Sequence, residues 1–232
     1  MITVACYFWQ DQTRANRGYT FCEDHVRILR NMVSRNLTLA HRFVCVTAEK
    51  IEGIETVPMD WRKHVPGTVY ARLMQHNPEW ARANLGERIL SLDLDIVVTR
   101  NIDHLVSRNE DFVIWKNPNF GTPRRAFYQS SVQLFHAGAR PQLWTDFDPN
   151  ETPKWVNWRF GGAEQAWISE RLEWDEACFS DRDGIYGAGR LGGKGVYSEL
   201  PENACIVSFP GAREPSQKEV QEKHGWIKEY YR

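Results

Sequence analysis

The chain has 232 residues, 42% hydrophobic and 25% charged, with a formal net charge of −1. That suits one folded domain with a sizeable core, or a domain with a small appendage, and excludes a disordered chain. The near-neutral balance, without a long basic run, argues against a dedicated nucleic-acid binder. Five cysteines (Cys6, Cys22, Cys45, Cys178, Cys205) are odd in number and form no CxxC pair, so neither a disulfide framework nor a zinc site is expected. No apolar run approaches membrane-spanning length and no leader pattern precedes the first strand, which points to a cytoplasmic protein. Ten tryptophans are many for this length and hint at surfaces that stack on rings or sugars, beside their ordinary place in a core.

Ile2 to Trp9 is rich in β-branched and aromatic residues and predicts a first strand. It ends in Tyr7-Phe8-Trp9. Ligands of open α/β sheets bind at the carboxyl ends of strands, so these rings could border a nucleobase or simply plug the sheet edge. Glu23 to Leu37 predicts an amphipathic helix, with Val26, Leu29 and Val33 at helical spacing. His41 to Thr47 and Thr56 to Met59 predict two more strands. A Pro66-Gly67 break precedes a short helix, Tyr70 to His76, that carries Arg72. A second helix, Pro78 to Leu85, has proline near its start and Gly86 at its end. This strand–helix alternation argues for an α/β sandwich with a mostly parallel central sheet flanked by helices.

The next stretch, Arg88-Ile89-Leu90-Ser91-Leu92-Asp93-Leu94-Asp95, organises the rest. An apolar strand runs into two carboxylates one residue apart. On an extended chain they would share one side and face one cleft. Asp-x-Asp alone is a weak pattern, common in solvated turns. Here Ile96, Val97 and Val98 follow at once, and acids inside such a run are costly unless paired or metal-bound. Hard oxygen donors suit Mg²⁺ or Mn²⁺, which commonly carries substrate phosphates as well.

Beyond Asp95 the sequence predicts a turn and short helix at Asn101–Leu105, then strands at Asp111–Trp115 and Ser130–Phe135. Thr145 to Trp158 is polar and reads as a surface excursion. A helix, Ala163 to Leu172, opens after Gly161-Gly162. Gly184 to Gly195 holds five further glycines after the first, with Arg190 and Lys194 among them, and reads as the most flexible stretch. Ala204 to Phe209 is a last strand. Residues 1–215 form the expected domain and 216–232 a helical tail.

These residues resemble a known family. The stretch from Arg88 to Asp95, followed by Asn101-Ile102-Asp103-His104-Leu105, is similar to the metal-binding segment of GT-A fold (Rossmann-like) glycosyltransferases, especially glycosyltransferase family 8. Tyr70-Ala71-Arg72-Leu73 resembles the family's short helix with an arginine near the diphosphate. Ser130-Ser131-Val132-Gln133-Leu134-Phe135 resembles its Asn-Ser-Gly-Val strand, Glu164-Gln165 its Asp-Gln pair, and Ser208-Phe209-Pro210-Gly211-Ala212-Arg213-Glu214-Pro215 its closing segment. The resemblance implies a UDP-sugar donor, a retaining outcome and an acceptor glycan, protein or modified nucleic acid. It implies Mn²⁺ or Mg²⁺ on Asp93 and Asp95, with Asp95 favoured as direct ligand. Ser208 stands where the family has a third, histidine ligand; His224 is the nearest alternative. Arg72, Lys194 and Arg213 would carry phosphate charge, beside Ser130 and Gly211 in the substrate site. Tyr7, Phe8 and Trp9 would border the base, and Glu164 and Gln165 would sit at the sugar and acceptor as catalytic residues.

Two other readings fit part of this sequence. Asp93-Leu94-Asp95-Ile96-Val97 matches the nucleophile loop of haloacid-dehalogenase-like phosphatases, although no clear downstream acid pair follows an apolar strand. The loss of histidine at position 208 also fits a non-catalytic module that binds a nucleotide sugar or glycan.

Overall fold

The computed structural model describes residues 1–9, 21–58, 69–118, 126–154, 164–188, 199–209 and 214–232. Strands β1 (Ile2–Tyr7), β2 (His41–Val46), β3 (Glu55–Val57), β4 (Arg88–Leu92), β6 (Phe112–Lys116), β7 (Tyr128–His136) and β8 (Ala177–Phe179) form one sheet in the order β3-β2-β1-β4-β7-β6-β8. The pairs β1/β2, β1/β4, β2/β3 and β6/β8 are parallel, and β7 alone runs antiparallel to both its neighbours. A small second sheet joins β5 (Ile96–Val98), β10 (Ile206–Ser208) and β9 (Ile185–Gly187). The helices among the described residues are α1 (Glu23–Asn36), α2 (Pro78–Asn84), α3 (Asp103–Val106), α4 (Gln142–Thr145), α5 (Glu164–Arg171), α6 (Lys218–Lys223) and α7 (Ile227–Tyr230). A tight 3₁₀ helix, Val69–His76, precedes α2. None of the described helices is long and apolar enough to cross a membrane.

Each face of the large sheet buries its own apolar layer, as period-two alternation requires. On one face Val4, Cys6, Phe8, Leu90 and Leu92 pack with α1 and the small sheet. On the other, Ala5, Tyr7, Ile89 and Phe135 pack beneath the 3₁₀ helix, α2 and α5. Cys6, Cys45 and Cys205 are small buried core residues, and all five thiols are free.

Residues 216–232 carry helices α6 and α7, and their Val220, Ile227 and Tyr231 share the core of β5, β9 and β10. The Arg35 guanidinium also donates to the carbonyls of Tyr230 at 2.8 Å and Arg232 at 2.6 Å. The excursion after Thr145 is mostly exposed over its described residues, with Phe147 lying against Tyr70 and Trp167 at ring-centroid distances of 5.1 and 5.8 Å. The glycine-rich stretch begins as strand β9, held in parallel register beside β10; Arg190 and Lys194 lie outside the described residues.

Gly184 is there for a left-handed turn at φ 82°, and a Cβ on it would stand 2.4 Å from the Asn203 carbonyl. Gly184→Ala is expected to lower stability by about 1–3 kcal/mol, read from the shift in denaturant midpoint.

Candidate functional site

From β1 the chain moves to β2 on one side and later returns to β4 on the other. The crevice at the carboxyl ends of β1 and β4 is therefore the switch point of the sheet, where ligands of open α/β sheets bind. The parallel register Ala5↔Ser91 brings Tyr7 and Asp93, each two residues further on, to the same end. A cleft opens there. Its lining combines apolar and aromatic side chains, Tyr7, Trp9, Phe21, Val69 and Leu94, with the charged groups of Arg72, Asp93 and Asp95.

Asp93 and Asp95 do not sit on an extended strand. They flank Leu94 in a turn between β4 and β5. Leu94 is buried in the core and lines the cleft between the two aspartates. The turn is tacked to both sheets. The Asp93 N–H donates to the Ser131 carbonyl on β7 at 3.1 Å, and the Phe209 N–H, just after β10, donates to the Asp95 carbonyl at 2.8 Å.

Arg72 is the hub of the charged groups, only 6% exposed. Its guanidinium donates to Asp93 Oδ1, to the Ser130 carbonyl at 2.8 Å, and lies 3.1 Å from Glu164 Oε1. Glu164 in turn accepts from the Ser130 hydroxyl at 2.8 Å. The Ser130 carbonyl is free to serve Arg72 because the β6/β7 register jumps between Ile114 and Trp115, leaving Ser130–Val132 without partners on β6. Burial pulls the Arg72 pKa down, but the surrounding Asp93, Glu164, Tyr7 and Asp95 hold it above its ordinary value. Burial raises the Glu164 carboxyl, with Arg72 opposing. Burial likewise raises the Tyr7 phenol, whose ring lies 5.8 Å from the Arg72 guanidinium carbon.

Behind Arg72, His76 packs against Phe135 and Phe112 at centroid distances of 5.2 and 6.1 Å. Burial, reinforced by Arg72, lowers its pKa to about 3. The folded state therefore keeps a neutral imidazole while the unfolded chain protonates below about 6.5, so stability falls as pH drops from 6.5 towards 3. Between pH 7 and pH 5 this one group is expected to remove about 2 kcal/mol. Denaturant titrations should show that difference in the wild type and its loss in His76→Gln.

The predicted residues divide. Tyr7 and Trp9 face the cleft with Arg72, Asp93 and Asp95, but Phe8 points through the opposite face, as alternation along β1 dictates. Phe8 borders a second hollow with Phe21, Arg27 and Glu49. Glu164 is buried behind Arg72 and is absent from the cleft wall; Gln165 beside it is half-buried. Ser208 is fully buried and its hydroxyl donates to Ser131 Oγ at 3.5 Å, under the acidic turn rather than on the cleft wall. His224 is buried at the end of α6. Lys194, Gly211 and Arg213 lie outside the described residues. Phe21, which lines both hollows, was missed; its one signal is an aromatic immediately before a helix that returns from β1.

The donor set fits one kind of ion. Among the described residues no group of three or more His, Cys, Asp or Glu could hold a metal. Two carboxylates lining one cleft suit a hard cation that takes its remaining oxygens from water and substrate phosphates, as Mg²⁺ and Mn²⁺ do.

No protein-family model and no curated protein matches this sequence. Solved structures do match. A galactosyltransferase, LgtC, in complex with donor and acceptor sugar analogs superposes with TM-score 0.57 at 11% identity, over 100% of this chain and 97% of that one. A glycosyltransferase involved in glycosylation of the major capsid of PBCV-1 gives 0.54 at 15% identity, over 98% of each chain. The glycosyltransferase GlyE of Streptococcus pneumoniae TIGR4 gives 0.59 at 8% identity, over 97% of this chain and 59% of that one. The chain has the GT-A glycosyltransferase fold. Its acidic turn thus stands at the end of the central parallel strand of a GT-A sheet, beside the first strand. Identities this low establish the GT-A architecture, and the chemistry has to be argued from the residues in the cleft.

Proposed function

We propose that this protein is a glycosyltransferase that moves a sugar from a nucleotide-diphosphate sugar, with UDP-sugar the favoured donor and a retaining outcome, to an acceptor. The observation that carries this reading is the cleft at the switch point of the sheet. Its lining brings aromatic residues together with two aspartates and a buried arginine. Tyr7, Trp9 and Phe21 give a flat apolar surface for the base. Asp93 and Asp95 would hold Mn²⁺ or Mg²⁺, which when bound neutralises the leaving diphosphate as a Lewis acid. Arg72 adds fixed positive charge in the same cleft, where it costs no reorganisation during bond breaking. Glu164 and Ser130 hold Arg72 in place, so Glu164 acts through Arg72 rather than on the sugar directly. On the family resemblance Gln165 remains assigned as a catalytic residue, Lys194, Gly211 and Arg213 to the substrate site, and Ser208 to the metal.

The phosphatase alternative would need Asp93 as a nucleophile, whereas Asp93 is held by Arg72. The GT-A architecture gives that alternative no support either.

Because the protein supplies so few metal ligands, metal and nucleotide are expected to bind as a pair, each raising the other's affinity by the same factor. A thermal-shift screen of UDP-, GDP- and CMP-sugars, with and without Mn²⁺, tests this. A Tm rise with UDP-sugar plus Mn²⁺ that exceeds the sum of the separate rises supports the proposal. No rise with any nucleotide sugar would overturn it.

A further inference from the structure

Beneath Arg72 the sheet carries a row of small and polar side chains where the rest of its face is apolar. The registers Ala5↔Ser91 and Ser91↔Gln133 set Ala5, Ser91 and Gln133 side by side on β1, β4 and β7. Ala5 belongs to the layer of Ile89 and Phe135; Ser91 and Gln133 each stand two residues from one of these, on the same face. The 3₁₀ helix lies over this row. Side chains three apart eclipse in such a helix, so Gln75 points the way Arg72 does, one turn on. Arg72 reaches Ser130 and His76 lies on Phe135, which places Gln75 above Gln133 between them.

The Gln133 Nε2 donates to the Ser130 carbonyl at 3.1 Å, the same carbonyl that takes Arg72 at 2.8 Å. That carbonyl fixes the orientation of the amide, so Gln133 Oε1 faces away from it. Gln75 likewise uses its Nε2, which lies 3.4 Å from His76 Nε2. Ser91 Oγ, Gln133 Oε1, Gln75 Oε1 and Arg72 Nε are buried and have no hydrogen-bond partner among the described residues. Bulk water does not reach them: Ser91 and Gln133 are 0% exposed and Gln75 is 1% exposed.

We infer that these groups enclose a binding site for one buried water, and that this water, together with Gln133, steadies Arg72 at the cleft. The set of groups matches a water molecule. The Ser91 O–H and the Arg72 Nε–H donate, and the two amide oxygens accept, which fills both the acceptor and the donor places of one water. A cation there would face Arg72, and an anion would face two amide oxygens, so neither fits. The short side chains of Ala5 and Ser91 leave the room. Burying an unpaired amide oxygen or guanidinium N–H is costly, and a water with about three partners removes that cost. Ser91, Gln75 and Gln133 are then positioning residues that act through Arg72 and touch no substrate. Their effect on transfer rests on the glycosyltransferase reading; the water site rests on the packing beneath Arg72.

The test is a high-resolution crystal structure of wild type and of Ser91→Val, with solvent exchange of the Arg72 Nε–H followed by NMR and UDP affinity measured with Mn²⁺. In wild type a water within hydrogen-bond distance of Ser91 Oγ, Gln75 Oε1 and Gln133 Oε1 is expected. Valine fills that space with methyl groups, so in Ser91→Val the water should be gone, Arg72 Nε–H exchange about tenfold faster and UDP affinity about tenfold weaker. Ser91→Ala leaves the space open and should keep the water and most of the affinity. Gln133→Met keeps the side-chain volume without the amide and should behave like Ser91→Val. Side chains that close on one another in wild type with no water between them would overturn the site. Density that follows the concentration of Na⁺ or K⁺ would overturn the assignment to water. Unchanged Arg72 Nε–H exchange in both Ser91→Val and Gln133→Met would overturn the positioning role. An ordered water with Ser91-dependent Arg72 exchange, in a protein that binds no nucleotide, would leave the site standing and remove the transferase reading.

Discussion

Arg72→Met is expected to lower stability by about 3–5 kcal/mol and to abolish transfer. The side chain is close in volume, so the loss is electrostatic rather than a cavity. Removing the guanidinium leaves the buried Glu164 and Asp93 carboxylates near one another without their shared cation. The carboxyl of Glu164, already raised by burial, then rises further. The sign follows from proton linkage. An acid whose pKa is higher in the folded than in the unfolded state binds more protons when folded, so the variant should regain stability as pH falls towards that raised pKa. Denaturant midpoints at pH 8 and pH 5 would show this recovery. Arg72→Lys keeps the charge but not the fork that reaches Asp93 and the Ser130 carbonyl together, so it should fold better than Arg72→Met and still bind diphosphate poorly.

Asp95→Asn is expected to reduce Mn²⁺-dependent UDP affinity by about 100-fold or more, the equivalent of about 3 kcal/mol, while affinity without metal changes little. It is a cleaner probe than Asp93→Asn. Asp93 is the partner of a buried arginine, so neutralising it also weakens Arg72 and should cost about 1–3 kcal/mol of stability. Equal stability changes in the two variants would show that Arg72 does not depend on Asp93. Unchanged metal-dependent affinity in Asp95→Asn would remove Asp95 from the metal site.

Much of the frame was legible in the sequence because its signals are local and periodic. Apolar spacing gave helix α1, and runs rich in apolar, β-branched and aromatic residues gave β1, β2 and β4. Pro78 marked the start of α2, and the Asn77 side chain before it caps the helix. What stayed hidden depends on contacts far apart in the chain. Nothing in Asp93-Leu94-Asp95 announces that Leu94 is buried and that the stretch is a turn tied to Ser131 and Phe209. Phe8 was grouped with Tyr7 and Trp9 because the three are adjacent, although alternation along β1 already separates them. The Arg72–Glu164 pair joins residues 92 positions apart, and no periodicity encodes it. How the helical tail packs stayed hidden as well. Val220, Ile227 and Tyr231 matter only through the small sheet they cover.

The central claim is that the cleft beside Asp93 and Asp95 transfers sugar from a nucleotide donor. The most direct measurement is UDP release from UDP-sugars, followed in wild type and Asp95→Asn with Mn²⁺ and then with excess chelator. The account predicts slow UDP release by wild type even to water as acceptor, abolished by chelator and by Asp95→Asn. Tight Mn²⁺-dependent UDP-sugar binding with no UDP release from any donor, even when glycan acceptors are added, would contradict it and leave a binding module on a GT-A frame.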